Sequence, residues 1–169
     1  MRLPYIGDVQ PAICFNQKDW ANNYIRHCAA MSYAHGVAEE AGIDLPFWFL
    51  HGIGSYASRF LSDAEGGGFA KAYLKRGPVR NLKGFFAGFD ISGEMDPNEI
   101  GYNVFLAGLL VSFAANGGET KITETMQAIS TCLGTGKGNF DKLVSTLQSE
   151  LIAAEAKIND YMQKLAAKA

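Results

Sequence analysis

Apolar residues recur at three- and four-residue steps along most of this chain, and that spacing predicts helices. From Lys18 to about Ala41, "KDWANNYIRHCAAMSYAHGVAEEA" puts Trp20, Tyr24, His27, Met31, Ala34 and Ala38 on one face. Asn16 is available as N-cap and Gly42 as the stop. "GIDLP" then turns the chain, and Pro46 is expected at the first helical position of "PFWFLHGIGSYASRFLSDAE". Gly52 and Gly54 weaken a helix by roughly 1 kcal/mol each relative to Ala, so they are expected to permit close contact with the first helix. "GGGFAKAYLKRGP" predicts a shorter helix, and "VRNLKGFFAGFDISGEMDP" an irregular loop. Helices follow over Asn98–Ala115 and "ETKITETMQAISTCLG". After "GTGKGN" comes one long helix, marked by Leu143, Leu147, Leu151, Ala154, Ile158, Met162 and Leu165. The first residues, rich in Pro and Gly, read as an extended lead-in with at most one edge strand.

The expectation is a mainly α, multi-helix single domain over residues 1–169. Its parts are an extended segment at 1–16, a helix pair at 17–65, a short helix and irregular loop at 66–97, and C-terminal helices at 98–169. At 48% hydrophobic and 19% charged the chain has a globular composition and length enough for a substantial core. A net charge of −2 lacks the basic footprint of a nucleic-acid binder. "MRLPYIGDVQPAICF" has no continuous apolar core and does not read as a signal peptide, so the default location is cytoplasmic. "NVFLAGLLVSFAAN" falls short of the roughly 20 apolar residues that span a bilayer and reads as a core helix. Cys14, Cys28 and Cys132 are an odd number without a CxxC spacing, which suits buried thiols better than disulfides or a zinc knuckle.

Two chemical motifs fail on their residues. "GTGKGN" lacks the Ser or Thr that a phosphate loop needs after its Lys, since Gly138 and Asn139 follow Lys137. Ser55, in "HGIGSYA", has its glycines misplaced for a nucleophile elbow. The segment Arg26–Phe60 holds all three histidines and has more chemistry. His27 and Met31 share a helical face, and His51 can reach that face from the next helix.

Here the chain resembles the gluzincin (peptidase MA-like) metallopeptidases. That family's pattern is a helix with His-Glu-x-x-His, a turn, then a helix opening "LPxWLxEGxAxY" whose Glu is the third zinc ligand. "DLPFWFLHGIGSY" matches the second part, with Leu45, Pro46, Trp48, Leu50, Gly52 and Tyr56 in register. "HCAAM" falls where the zinc helix belongs, and the helices from "GYNVFLAGLLVSFAANGG" onward follow the family's order. The likeness covers the chain from about Asn22, with about 20 residues in place of the sheet-bearing half, and implies a fold like the helical half of such a peptidase.

Carried over position by position, the resemblance keeps His27 as first ligand and changes the rest. Cys28 stands at the general base, where a thiol cannot poise a zinc-bound water as a carboxylate does. Met31 replaces the second His, and His51 the ligand Glu. Tyr102 matches, loosely, a Tyr that stabilises the oxyanion in some members. The resemblance thus implies a pseudopeptidase, with no metal or cofactor expected, binding a protein or peptide in a groove lined by Trp48, Tyr56 and Tyr102. A homo-oligomer or a subunit of a larger assembly fits an apolar side without its usual cover. In this reading His27 and His51 hydrogen-bond each other or backbone; His35 is exposed, and Glu39 and Glu40 form a solvated face. The alternative is a metal-binding protein or metal-dependent hydrolase in which His27, Met31 and His51, with Cys28 nearby, hold copper or zinc, the soft set favouring copper(I).

Overall fold

Helix α1 (Lys18–Glu40) ends because Gly42, at φ 68, lets the chain reverse: Gly42 N–H bonds to Glu39 O at 3.0 Å and Ile43 N–H to Ala38 O at 2.8 Å. The computed structural model describes residues 18–58, 64–89, 91 and 96–168, so the expected N-terminal strand, the Asn16 cap and Cys14 lie outside the described residues. The described part is mainly helical, with no strand among the described residues.

After the turn, α2 spans Phe47–Ala57. Pro46 is its N-cap, not its first residue, because ψ 137 is extended; its carbonyl takes the N–H groups of Phe49 and Leu50. The two α2 glycines face different neighbours. A Cβ on Gly54 would stand 2.7 Å from Met31 Cγ and 3.0 Å from His27 Cε1, so this glycine seats α1 as expected. A Cβ on Gly52 would stand 2.8 Å from Ala107 O, so Gly52 instead admits the backbone of α5 (Pro97–Ser112).

Helix α3 covers Ala64–Leu74. Part of the expected irregular loop is a helix: α4 (Leu82–Gly88) is nucleated by Asn81, whose side chain accepts from Gly84 N–H at 3.1 Å, and is anchored by the fully buried Leu82. Asp96 caps α5 through Asn98 N–H at 2.7 Å, and Pro97 fills the first turn. The helical path continues through a π turn at Phe113–Gly117. Together, Pro97–Gly117 makes 21 residues, longer than the apolar run suggested; an 18-residue stretch of it has mean hydropathy 1.4, so by length and composition alone it is sufficient to cross a membrane. Within this fold it is the central element, with Leu109 and Leu110 fully buried.

Helix α6 (Thr120–Thr135) packs on α7 (Phe140–Ala153), and α8 (Glu155–Ala166) closes the chain. The long C-terminal helix expected from the periodicity is therefore broken at Ala154 (φ −94, ψ 11). The break aims two stripes at different parts of the core: Val144, Leu147 and Leu151 from α7, Ile158, Met162 and Leu165 from α8. Asn159 of α8 clamps the α3–α4 connection, accepting from Val79 N–H at 2.7 Å and donating to Val79 O at 3.0 Å.

Candidate functional site: a buried imidazole pair

The α1–α2 seam brings two histidines together. His27 and Met31 lie one turn apart on α1, and Gly54 leaves room for both against α2. His51 and Ser55, also one turn apart, present from α2. His27 Nε2 lies 3.4 Å from His51 Nδ1, and His27 Nδ1 lies 3.4 Å from Ser55 Oγ. His51 is 8% exposed and Ser55 1%. The rings tilt at 36° with centroids 5.6 Å apart, and Phe47 meets His51 edge-on at 4.7 Å.

One proton per contact permits two arrangements along this chain of groups. Ser55 donates to His27, which donates to His51; or His51 donates to His27, which donates to Ser55. In both, His51 Nε2 ends the chain, and it is buried with no hydrogen-bond partner among the described residues. Burial lowers the His27 pKa to about 4. Burial, and then the neighbouring His27, lower that of His51 to about 3. Both rings are therefore neutral near pH 7, because burial disfavours the charged form.

The other candidate residues, Met31 apart, are dispersed. Met31, 8% exposed, lies beside His27 at Gly54. Cys28 is partly buried on α1. Trp48 is 2% exposed and packs on Phe86 at 4.8 Å, so it belongs to the core and not to an open groove wall. Tyr56 is exposed at the end of α2, its hydroxyl accepting from Asn116 Nδ2 at 3.3 Å. Tyr102 belongs to a different cluster: its ring and that of Tyr73 are 5.2 Å apart, the Arg76 guanidinium lies 5.4 Å from each, and Arg76 pairs with Glu99 at 2.8 Å. Burial raises both phenol pKa values. His35 is partly exposed, 4.0 Å from Glu39, and Glu39 and Glu40 are solvated.

Phe47 and Phe89 are site residues that motif matching passed over, and Ser55 is one it weighed only as a nucleophile and set aside. Ser55 was legible as the residue four beyond His51; Phe89, 5.9 Å from His51, comes from distant sequence and carried no signal. Among the described residues no group of three or more His, Cys, Asp or Glu is arranged to hold a metal. An open groove of about 410 Å³ lies elsewhere, on α6–α7, lined by Lys121, Lys142, Ser149 and Glu150.

Over the described residues the structure thus defines a mainly helical fold with a neutral, largely buried histidine pair across its first two helices. Comparison with family models, curated proteins and solved structures gave no match.

Proposed function

We propose that the chain is a non-catalytic, metallopeptidase-like helical domain that serves as a protein-binding or assembly subunit. The observation that carries this reading is the direct approach of His27 Nε2 to His51 Nδ1 at 3.4 Å, at two positions where the gluzincin resemblance puts zinc ligands. Two separate helices deliver those positions to one point, as the likeness requires. In place of the base and second ligand are Cys28 and Met31, neither of which supplies a carboxylate or imidazole. Ile25 and Tyr33 on α1, 64% and 76% exposed, offer apolar surface for a partner.

A second reading, a metal site at His27, Met31 and His51, has one observation in its favour. Two nitrogens bound about 2.0–2.1 Å from a tetrahedral ion stand about 3.4 Å apart, and the pair shows that spacing.

Restoring the lost ligands tests the scaffold. The Met31→His variant adds a third nitrogen, and the triple variant Cys28→Glu, Met31→His, His51→Glu rebuilds the whole family pattern. We expect each, if folded by circular dichroism, to bind one equivalent of zinc. Folded variants that take up none contradict the metallopeptidase-like assignment. Light scattering tests assembly: a strict monomer at high concentration removes the self-assembling form of the proposal.

A further inference from the structure

The groove on α6 and α7 is built along one stripe of α7. Lys142, Thr146 and Glu150 stand at four-residue steps and so share a face, Ser149 lies beside them, and Lys121 joins from α6. The stripe is polar because the core takes the opposite face of α7, where Val144, Leu147 and Leu151 are buried.

Two features set what this groove can hold. The Glu150 side chain is only 9% exposed, and neither of its oxygens has a hydrogen-bond partner among the described residues. The Lys121 ammonium stands 3.4 Å from Oε1 as an ion pair without a hydrogen bond. A buried carboxylate is ordinarily held by charge-assisted N–H donors, so Glu150 is a charged acceptor whose hydrogen bonds are unspent. The hydroxyls add to this. Thr146 Oγ1 donates to the Lys142 carbonyl at 2.8 Å, and Ser149 Oγ to the Ser145 carbonyl at 2.9 Å. Each has given its one proton to its own helix and offers only lone pairs outward. The floor therefore accepts and does not donate. The lining donors are two lysines: Lys121, 77% exposed and free to move aside, and Lys142, two turns or about 12 Å from Glu150 along the helix axis.

We propose that this groove binds a short extended peptide with a free N-terminus. The terminal ammonium takes the place of Lys121 at Glu150, and its three N–H donors supply the hydrogen bonds that the carboxylate lacks. Backbone N–H groups of the peptide meet the Ser149 and Thr146 oxygens. The terminal carboxylate reaches Lys142, because three extended residues cover about 10 Å, close to the two-turn separation. A free amino acid is too short to bridge Glu150 and Lys142, and a polyamine brings no anion for Lys142. The groove shares no residue with the histidine pair, so its failure and the failure of the reading above are separable.

The test is an NMR titration of the full chain with trialanine, run beside N-acetyl-trialanine and spermidine. We expect trialanine to shift the amides of Thr146, Ser149 and Glu150 with a Kd of about 1 mM, while those of Leu109 and Leu110 stay fixed. The acetylated peptide, which has no ammonium, and spermidine, which has no carboxylate, should each bind about tenfold more weakly. Glu150→Gln keeps the shape and removes the charge, and Lys142→Ala changes an exposed position. Each should weaken trialanine about tenfold with the core amide shifts unchanged. No shift with trialanine at about 10 mM, ten times the expected Kd, would overturn the proposal. So would equal binding of the acetylated peptide, or unchanged affinity in Lys142→Ala or in folded Glu150→Gln.

Discussion

His27 and His51 are held neutral at a cost that depends on pH. Their folded pKa values, about 4 and about 3, lie below the ordinary histidine value of 6.5. Between pH 6.5 and 4 the unfolded chain therefore binds protons that the folded chain refuses, and stability falls as pH falls. Above pH 7 these two groups contribute no slope. Urea midpoints from pH 7.5 to 4 in the wild type and in His51→Gln measure this: we expect the variant to lose about one proton's worth of the slope, roughly 1.4 kcal/mol per pH unit at most. Equal slopes would mean that His51 is not buried neutral. The glycines give a second residue-scale expectation. Gly52→Ala sets a Cβ 2.8 Å from the Ala107 carbonyl, backbone that cannot yield, while Gly54→Ala meets the flexible Met31 side chain at 2.7 Å. Overpacking costs about 1–3 kcal/mol, so Gly52→Ala should lower the melting temperature clearly more than Gly54→Ala. The sequence pointed to both glycines as close-approach positions but not to the neighbour of Gly52, because that neighbour lies on α5, remote in the chain.

At the scale of elements, α4 depends on its cap and on α8. Asn81 adopts φ 58, a left-handed backbone that a residue with a Cβ disfavours, and its side chain caps Gly84 N–H. Asn81→Ala loses the cap and keeps the strain, so it should cost about 1–2 kcal/mol. Asn81→Gly relieves the strain and should cost less. Urea unfolding ranks the two, and the reverse order would contradict the cap. Asn159→Ala leaves the Val79 backbone groups unpaired and should destabilise by about 1–3 kcal/mol, with faster exchange near Val79. Helices with sustained periodicity, α1, α5 and α6, were legible within a few residues of their bounds. The helix α4 was obscured by its glycines and paired phenylalanines, of which Phe86 packs on Trp48 of α2. The break at Ala154 was invisible because "IAAEAK" has no helix breaker; packing of two stripes against different parts of the core overrides local preference there.

For the whole molecule, a mainly α architecture followed from spacing and composition, and the seam of α1 and α2 followed from the positions of His27, Met31 and His51. The wider groove did not follow. Trp48 turns into the core, Tyr56 to solvent and Tyr102 toward Arg76, because the face each residue takes depends on helix packing that local periodicity does not encode. What unites the molecule is an imidazole-to-imidazole contact at a place where the resemblance puts an ion. Metal analysis of the chain purified without added metal or chelator, followed by zinc and copper(I) titration, addresses that contact most directly. We expect less than about 0.1 equivalent of either metal as purified and no titratable site that depends on the histidines. Stoichiometric metal that disappears in the His27→Ala, His51→Ala double variant would contradict the account.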